Sequence, residues 1–229
     1  MFCLLLAIGL ILMVCSWFMP ETLPSEKRIN KSCLQVYANL FRVFHNPRFT
    51  LSTLAAMACF LTFFAYIASS PFILQRIYGL TPFEFSLCFA LNALMIGIGA
   101  AIAPRFKKET TGLKKGSAHF MVAACILAVC LLTHMPLVVV MVFYMYLMSS
   151  FGLMQPGLTA TALDAERENA GAASAIFGAS GFVAGAVSSP IVALGNIAVT
   201  SSCVMVAGTI ICIMLTFPLC NRIKKLSTL

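Results

Sequence analysis

Residues 116–163 read GSAHFMVAACILAVCLLTHMPLVVVMVFYMYLMSSFGLMQPGLTATAL, 48 consecutive positions without an Asp, Glu, Lys or Arg. A helix rising about 1.5 Å per residue needs ~20 apolar residues to cross a hydrocarbon core of about 30 Å. The stretch is too long for one crossing and the right length for two, and Thr133-His134-Met135-Pro136 supplies the break. Outward from it, the uncharged runs 1–20, 49–75 and 85–104 accommodate one crossing each, and 169–221 accommodates two, divided at Gly195-Asn196. The chain of 229 residues is 61% apolar and 10% charged, against about 45–50% and ~25% in an ordinary soluble domain. A soluble globular fold is excluded. The expectation is an all-α polytopic membrane protein with seven transmembrane helices, at about 2–18, 50–75, 84–104, 116–133, 136–159, 170–193 and 197–219.

The basic residues orient these segments. Of 15 Lys and Arg, all except Arg76 fall in 19–49, 105–115, 161–169 and 220–229, the connections on one side. Lys and Arg mark the cytoplasmic side, so the N-terminus is expected outside and the C-terminus in the cytoplasm of a cell whose inner (plasma) membrane holds the chain. The net charge of +8 is therefore a topology signal and does not imply a nucleic-acid partner. Residues 1–20 have no basic n-region and no small-residue cleavage site, which favours a membrane helix over a removable signal. The ten cysteines include no C-x-x-C pair, so neither a zinc site nor a disulfide framework is indicated, and small apolar packing residues are expected.

The longest connection, 19–49, is expected on the cytoplasmic side, followed by a six-helix body over 50–219 and a tail over 220–229. Within it Leu34, Tyr37, Leu40, Phe41 and Phe44 keep helical spacing opposite Lys31, Gln35, Asn39, Arg42 and His45. An interfacial amphipathic helix fits this pattern; an ordinary solvated linker fits the composition as well.

Polar side chains are unevenly shared among the segments, and in lipid such groups turn toward protein or water. Segments one, four and seven are nearly free of them and are expected to face lipid. Segments two, three, five and six carry Thr62, Tyr66, Ser69 and Ser70; Asn92; Tyr144, Tyr146 and Gln155; and Ser174, Ser180 and Ser188. The order is peripheral, inner, inner, peripheral, inner, inner, peripheral. In segment five Met141, Met145, Met148, Gly152 and Gln155 share one face, and in segment six Ser174, Gly178, Gly181, Gly185 and Ser188 do so. The Gly181–Gly185 pair suits close helix packing or space for a ligand, with packing the safer reading. The methionines suit either gap filling or adaptable binding.

After the segments are drawn no embedded Asp, Glu, Lys or Arg remains, and His119 and His134 fall near segment ends. A proton pump needs an ionisable group inside the bilayer, so no proton carrier is evident. No phosphate loop, H-E-x-x-H pair or nucleophile motif occurs, which argues against an enzyme, and no metal or cofactor is expected.

Several motifs resemble the major facilitator superfamily, in particular its Bcr/CflA-type drug-resistance transporters: Pro20-Glu21-Thr22-Leu23-Pro24; Asn46-Pro47-Arg48-Phe49; Tyr66-Ile67-Ala68-Ser69-Ser70-Pro71-Phe72-Ile73-Leu74-Gln75 through Tyr78-Gly79-Leu80; Phe85-Ser86; Phe89-Ala90-Leu91-Asn92-Ala93; and Gly171-Ala172-Ala173-Ser174-Ala175. The resemblance implies two six-helix halves with every third helix peripheral and a cavity between the halves that opens to alternate sides. The seven segments resemble the sixth through twelfth helices, the C-terminal half plus one. It further implies efflux of a small amphipathic substrate, by proton antiport in the full-length family, with Tyr66, Asn92, Met145, Met148 and Gln155 facing the cavity. The partners implied are the lipid bilayer and an N-terminal half outside this chain. A non-transporting remnant or structural subunit is the alternative.

Overall fold

The computed structural model describes residues 2–20, 40–106 and 108–226. These are helical apart from short turns, with no strand among them, and they fall into two units, 1–37 and 38–229. In the first unit α1 (Phe2–Trp17) is apolar apart from Ser16 near its end. Its 16 residues extend about 24 Å, short of a hydrocarbon core of about 30 Å.

The second unit contains α2 (Pro47–Phe72), α3 (Pro82–Ile102), α4 (Glu109–Leu132), α5 (Leu137–Ala165), α6 (Ala170–Val192) and α7 (Ile197–Leu226). Each of these six, counted with its terminal turns, is long and apolar enough to cross a membrane. Most of the amphipathic stretch 31–45 lies outside the described residues; its last part, Phe41–His45, is a 3-10 turn. The ends that adjoin Arg48, Arg105, Arg167 and Arg222 are called the basic end below.

Three helices run further than the uncharged stretches that announce them. α4 starts at Glu109 instead of 116, α5 continues to Ala165 instead of 159, and α7 reaches Leu226 instead of 219. Charged side chains do not stop a helix at the interface when their stems can lie along apolar surface. Lys114 does this, placing its ammonium 5.1 Å from the centre of the Phe217 ring on α7. The longer α4 corrects one expectation: His119 sits well inside the helix, not near its end.

α2 is the central element, packing against α5, α6 and α7; α4 packs between α5 and α7, and α3 leans on α5. On the α2–α7 seam the Thr62 hydroxyl donates to the Met205 carbonyl at 3.2 Å, and the Cys59 and Cys212 sulfurs lie 3.3 Å apart. Gly181 and Gly185 of α6 receive the Phe60 and Phe64 rings of α2, which an added Cβ would meet at 3.0 and 2.9 Å. Packing is thus what this glycine pair does.

Polarity does not rank burial in this unit. α4, with its apolar middle, buries Phe120, Ala123, Ala124, Leu127 and Leu131 and exposes Val122 and Val129. α3, expected among the inner helices, buries only Asn92 and Gly99 and leaves Phe83, Leu87, Leu91 and Leu94 open. A helix with one packing partner buries one stripe, whatever its composition. α3 can press so closely on α5 because glycine faces backbone at both contacts: a Cβ on Gly99 would fall 2.0 Å from the Ser149 carbonyl oxygen, and one on Gly152 2.1 Å from that of Ile96.

The helix starts are written locally. Asn46 accepts the Arg48 amide at 3.0 Å with Pro47 in the first turn, a cap typically contributing about 1 kcal/mol. Thr81 and Glu84 form a reciprocal capping box at α3, again followed by proline. Between them Pro71 lies inside α2 and Ile73–Ile77 widens into a π turn, with Gly79 at φ 72° closing the turn. Tyr78 then donates to the Met135 carbonyl at 2.7 Å, tying the α2–α3 turn to the α4–α5 turn.

Candidate functional site

α2, α3 and α5 bring one aromatic and polar cluster together. Tyr66 is 2% exposed, Asn92 1% and Tyr144 0%. The Tyr66 ring is stacked on Phe89 with centroids 6.0 Å apart and meets Tyr144 at 5.2 Å; Phe85 continues the row at 5.9 Å from Phe89. Ser69 and Ser70, one helical turn from Tyr66 on α2, are buried as well. Helical spacing explains the convergence on α2, since Tyr66, Ser69 and Ser70 are three and four positions apart.

The groups in this cluster are under-used. Ser69 donates back to the Ala65 carbonyl at 2.7 Å, and Asn92 donates to the Cys88 carbonyl at 3.0 Å. The Tyr66 and Tyr144 hydroxyls, the Ser70 hydroxyl and the Asn92 carbonyl oxygen are buried without a hydrogen-bond partner among the described residues. A buried polar group left in that state costs about 1–3 kcal/mol. Four in one place form a patch able to donate and accept hydrogen bonds, walled by aromatic rings and holding no formal charge.

Of the five residues expected to face a cavity, Tyr66 and Asn92 belong to this cluster. Met148 is fully buried one helical turn beyond Tyr144, and Met145 is half-buried. Gln155 stands apart, eleven residues past Tyr144 on α5, or about 16 Å along the axis; its amide nitrogen is also buried without a partner.

The sequence profile of the Major Facilitator Superfamily matches residues 1–189. The chain belongs to this superfamily. With six helices among the described residues long and apolar enough to cross a membrane, it is a multi-pass membrane protein of that superfamily. It is similar to the uncharacterized MFS-type transporter YdgK of Bacillus subtilis (strain 168), with 29% identity over 199 residues, covering 85% of this chain and 50% of that protein. The chain spans about half the length of the curated relative it matches.

At the basic end of this facilitator chain every residue of the Asn46-Pro47-Arg48-Phe49 motif has a function in the fold. Arg48 forms an ion pair with Asp164 at 3.1 Å, and Asp164 also receives Arg167. The Asn46 amide donates to the Ala165 carbonyl at 2.8 Å and to the Glu166 carboxylate at 2.9 Å, while Phe49 is buried beneath Phe44. The start of α2 is thereby fastened to the end of α5. Glu109 is similarly engaged by the Thr161 hydroxyl, joining α4 to α5.

Sequence reasoning missed two parts of this arrangement. Tyr144 falls one position off the methionine face of α5, although Tyr144, Met148, Phe151 and Gln155 step by 4, 3 and 4 and form an equally regular face. The partnership of Arg48 with Asp164 joins residues 116 positions apart, and no local spacing announces it.

Proposed function

We propose that this chain is the C-terminal half, with the preceding helix, of a Bcr/CflA-type drug-resistance transporter that exports small amphipathic compounds by proton antiport. Tyr66, Asn92, Met145, Met148 and Gln155 face the path of the compound, with the basic end on the cytoplasmic side of the plasma membrane. The observation that supports this reading is the Tyr66–Asn92–Tyr144 cluster: four unpartnered polar atoms beside aromatic rings. Amphipathic compounds present both kinds of surface. Polar residues that lipid would penalise are retained in membrane helices where they meet protein, water or cargo. The open stripe of α3 is the surface a second half would cover.

The test is dye movement in vesicles. The chain joined to a five-helix N-terminal half should move an amphipathic cationic dye when a pH gradient is imposed, and the chain alone should not. Absence of movement in the joined form would overturn the antiport reading; movement by the chain alone would overturn the half-transporter reading.

A further inference from the structure

His119 is the eleventh of the 24 residues of α4, about 15 Å along the helix from its start. Tyr146 is the tenth residue of α5, which runs in the opposite direction from the other end. The two meet near the middle of the span: His119 Nδ1 lies 2.5 Å from the Tyr146 hydroxyl, with the rings 6.0 Å apart and edge-on. They border a cavity of about 160 Å³ whose other walls include Gly99 and Ile102 of α3 and Ser149 and Ser150 of α5. Both serine hydroxyls are committed to the Tyr146 carbonyl at 2.9 Å, so Tyr146 is the side chain that serves the imidazole.

We propose that His119 and Tyr146 form a proton-binding site at mid-span on the outer face of the α4–α5 contact, where His119 is exposed and Tyr146 half-buried. Imidazole is the side chain whose ordinary titration falls between about pH 5 and 8, and a phenol hydroxyl both donates and accepts. With His119 neutral and its proton on Nε2, the tyrosine O–H donates to Nδ1; with His119 protonated on both nitrogens, Nδ1–H donates to the tyrosine oxygen. The hydrogen bond reverses its polarity and is kept in both states. That is the property a proton site in a poorly solvating medium requires, because an unsatisfied charge there is expensive.

The surrounding charges leave this exchange to the pair. On α4 itself, Lys115 lies one turn toward the basic end and is exposed, Lys114 is directed onto Phe217 of α7, and Glu109 is held by Thr161 of α5. From α5 the titratable group facing His119 is Tyr146, and from α3 the cavity wall holds Gly99 and Ile102, neither of which titrates. α7 touches the start of α4 through Cys220, whose thiol lies 3.6 Å from the Thr110 carbonyl, and carries Arg222 and Lys224 beyond it. His119 forms no ion pair among the described residues. The site deepens the antiport reading by giving it a group that holds the proton.

The experiment is a histidine titration by NMR on the whole chain in nanodiscs, with ring-labelled histidine and no transported compound. The chain has 3 histidines; His45→Asn and His134→Asn, both at exposed positions, assign the remaining signal to His119 without altering it. The His119 resonance is expected to shift reversibly with pH, and Tyr146→Phe to displace the midpoint. A resonance constant from about pH 5 to 9 in the unmodified pair, or a midpoint that ignores Tyr146→Phe, overturns the proposal. Because no cargo or gradient is present, failure here leaves the efflux reading standing, and failed dye movement leaves the titration standing.

Discussion

Gly152→Val is expected to prevent stable assembly of α3 on α5. The atom a Cβ would meet is the Ile96 carbonyl oxygen at 2.1 Å, followed by its carbonyl carbon at 2.8 Å and Cα at 2.9 Å. Backbone cannot rotate aside as a side chain can, so relief requires moving a whole helix. The reciprocal contact compounds this, because Gly99 faces the Ser149 carbonyl oxygen at 2.0 Å, and separating the helices at one site opens the other. Overpacking a well-packed interior costs about 1–3 kcal/mol, and two linked backbone contacts place this substitution at or above ~3 kcal/mol on that scale. Detergent-extracted Gly152→Val should melt well below the parent or fail to elute as a single species. Gly178→Ala on α6, where an added Cβ meets nothing within 4 Å, should behave like the parent. Equal melting of Gly152→Val and the parent would refute this account of the α3–α5 contact.

Asn92→Leu is expected to separate stability from transport. The Asn92 carbonyl oxygen is buried without a partner, and replacing such a group by an apolar one of similar shape removes a penalty of about 1–3 kcal/mol. The amide donation to Cys88 is lost, but it is a bond within the same helix and its loss leaves the helix ladder intact. The variant should therefore melt at or above the parent's temperature. Export of an amphipathic compound by the assembled transporter should fall about tenfold or more, the equivalent of ~1.4 kcal/mol of lost recognition. Stability retained at the expense of activity is the behaviour of a polar group kept for function. Unchanged export would remove Asn92 from the proposed path.

The crossings were legible because bilayer thickness imposes a length and expels charge, and four uncharged runs, two of them long enough for two crossings, supply the six helices of one compact unit. Their ends were less so: the rule that finds a span by its lack of charge stops at Lys115, whereas the helix carries Lys114 and Lys115 in its early turns and begins at Glu109. That seven-residue difference moved His119 from a segment end to mid-helix and concealed its pairing with Tyr146. Burial was misjudged for α3 because side-chain polarity reports what a helix must avoid, not how many neighbours it has. No local spacing couples Gly99 to Ser149, whose carbonyl opposite is what requires the glycine. The Asn46-Pro47-Arg48-Phe49 motif could be read as a family signature, but its physical reason required Asp164, Ala165 and Glu166 from the far end of α5.

Photo-crosslinking locates the transported compound most directly. An amphipathic amine carrying an aryl azide would be bound to the assembled transporter in vesicles, illuminated, and its adducts mapped by mass spectrometry. Adducts on the segments bearing Tyr66, Phe89–Asn92 and Tyr144–Met148, suppressed by excess unlabelled compound, are the result this account predicts. Adducts confined to the exposed Val122 and Val129 face of α4, and insensitive to competitor, would contradict it.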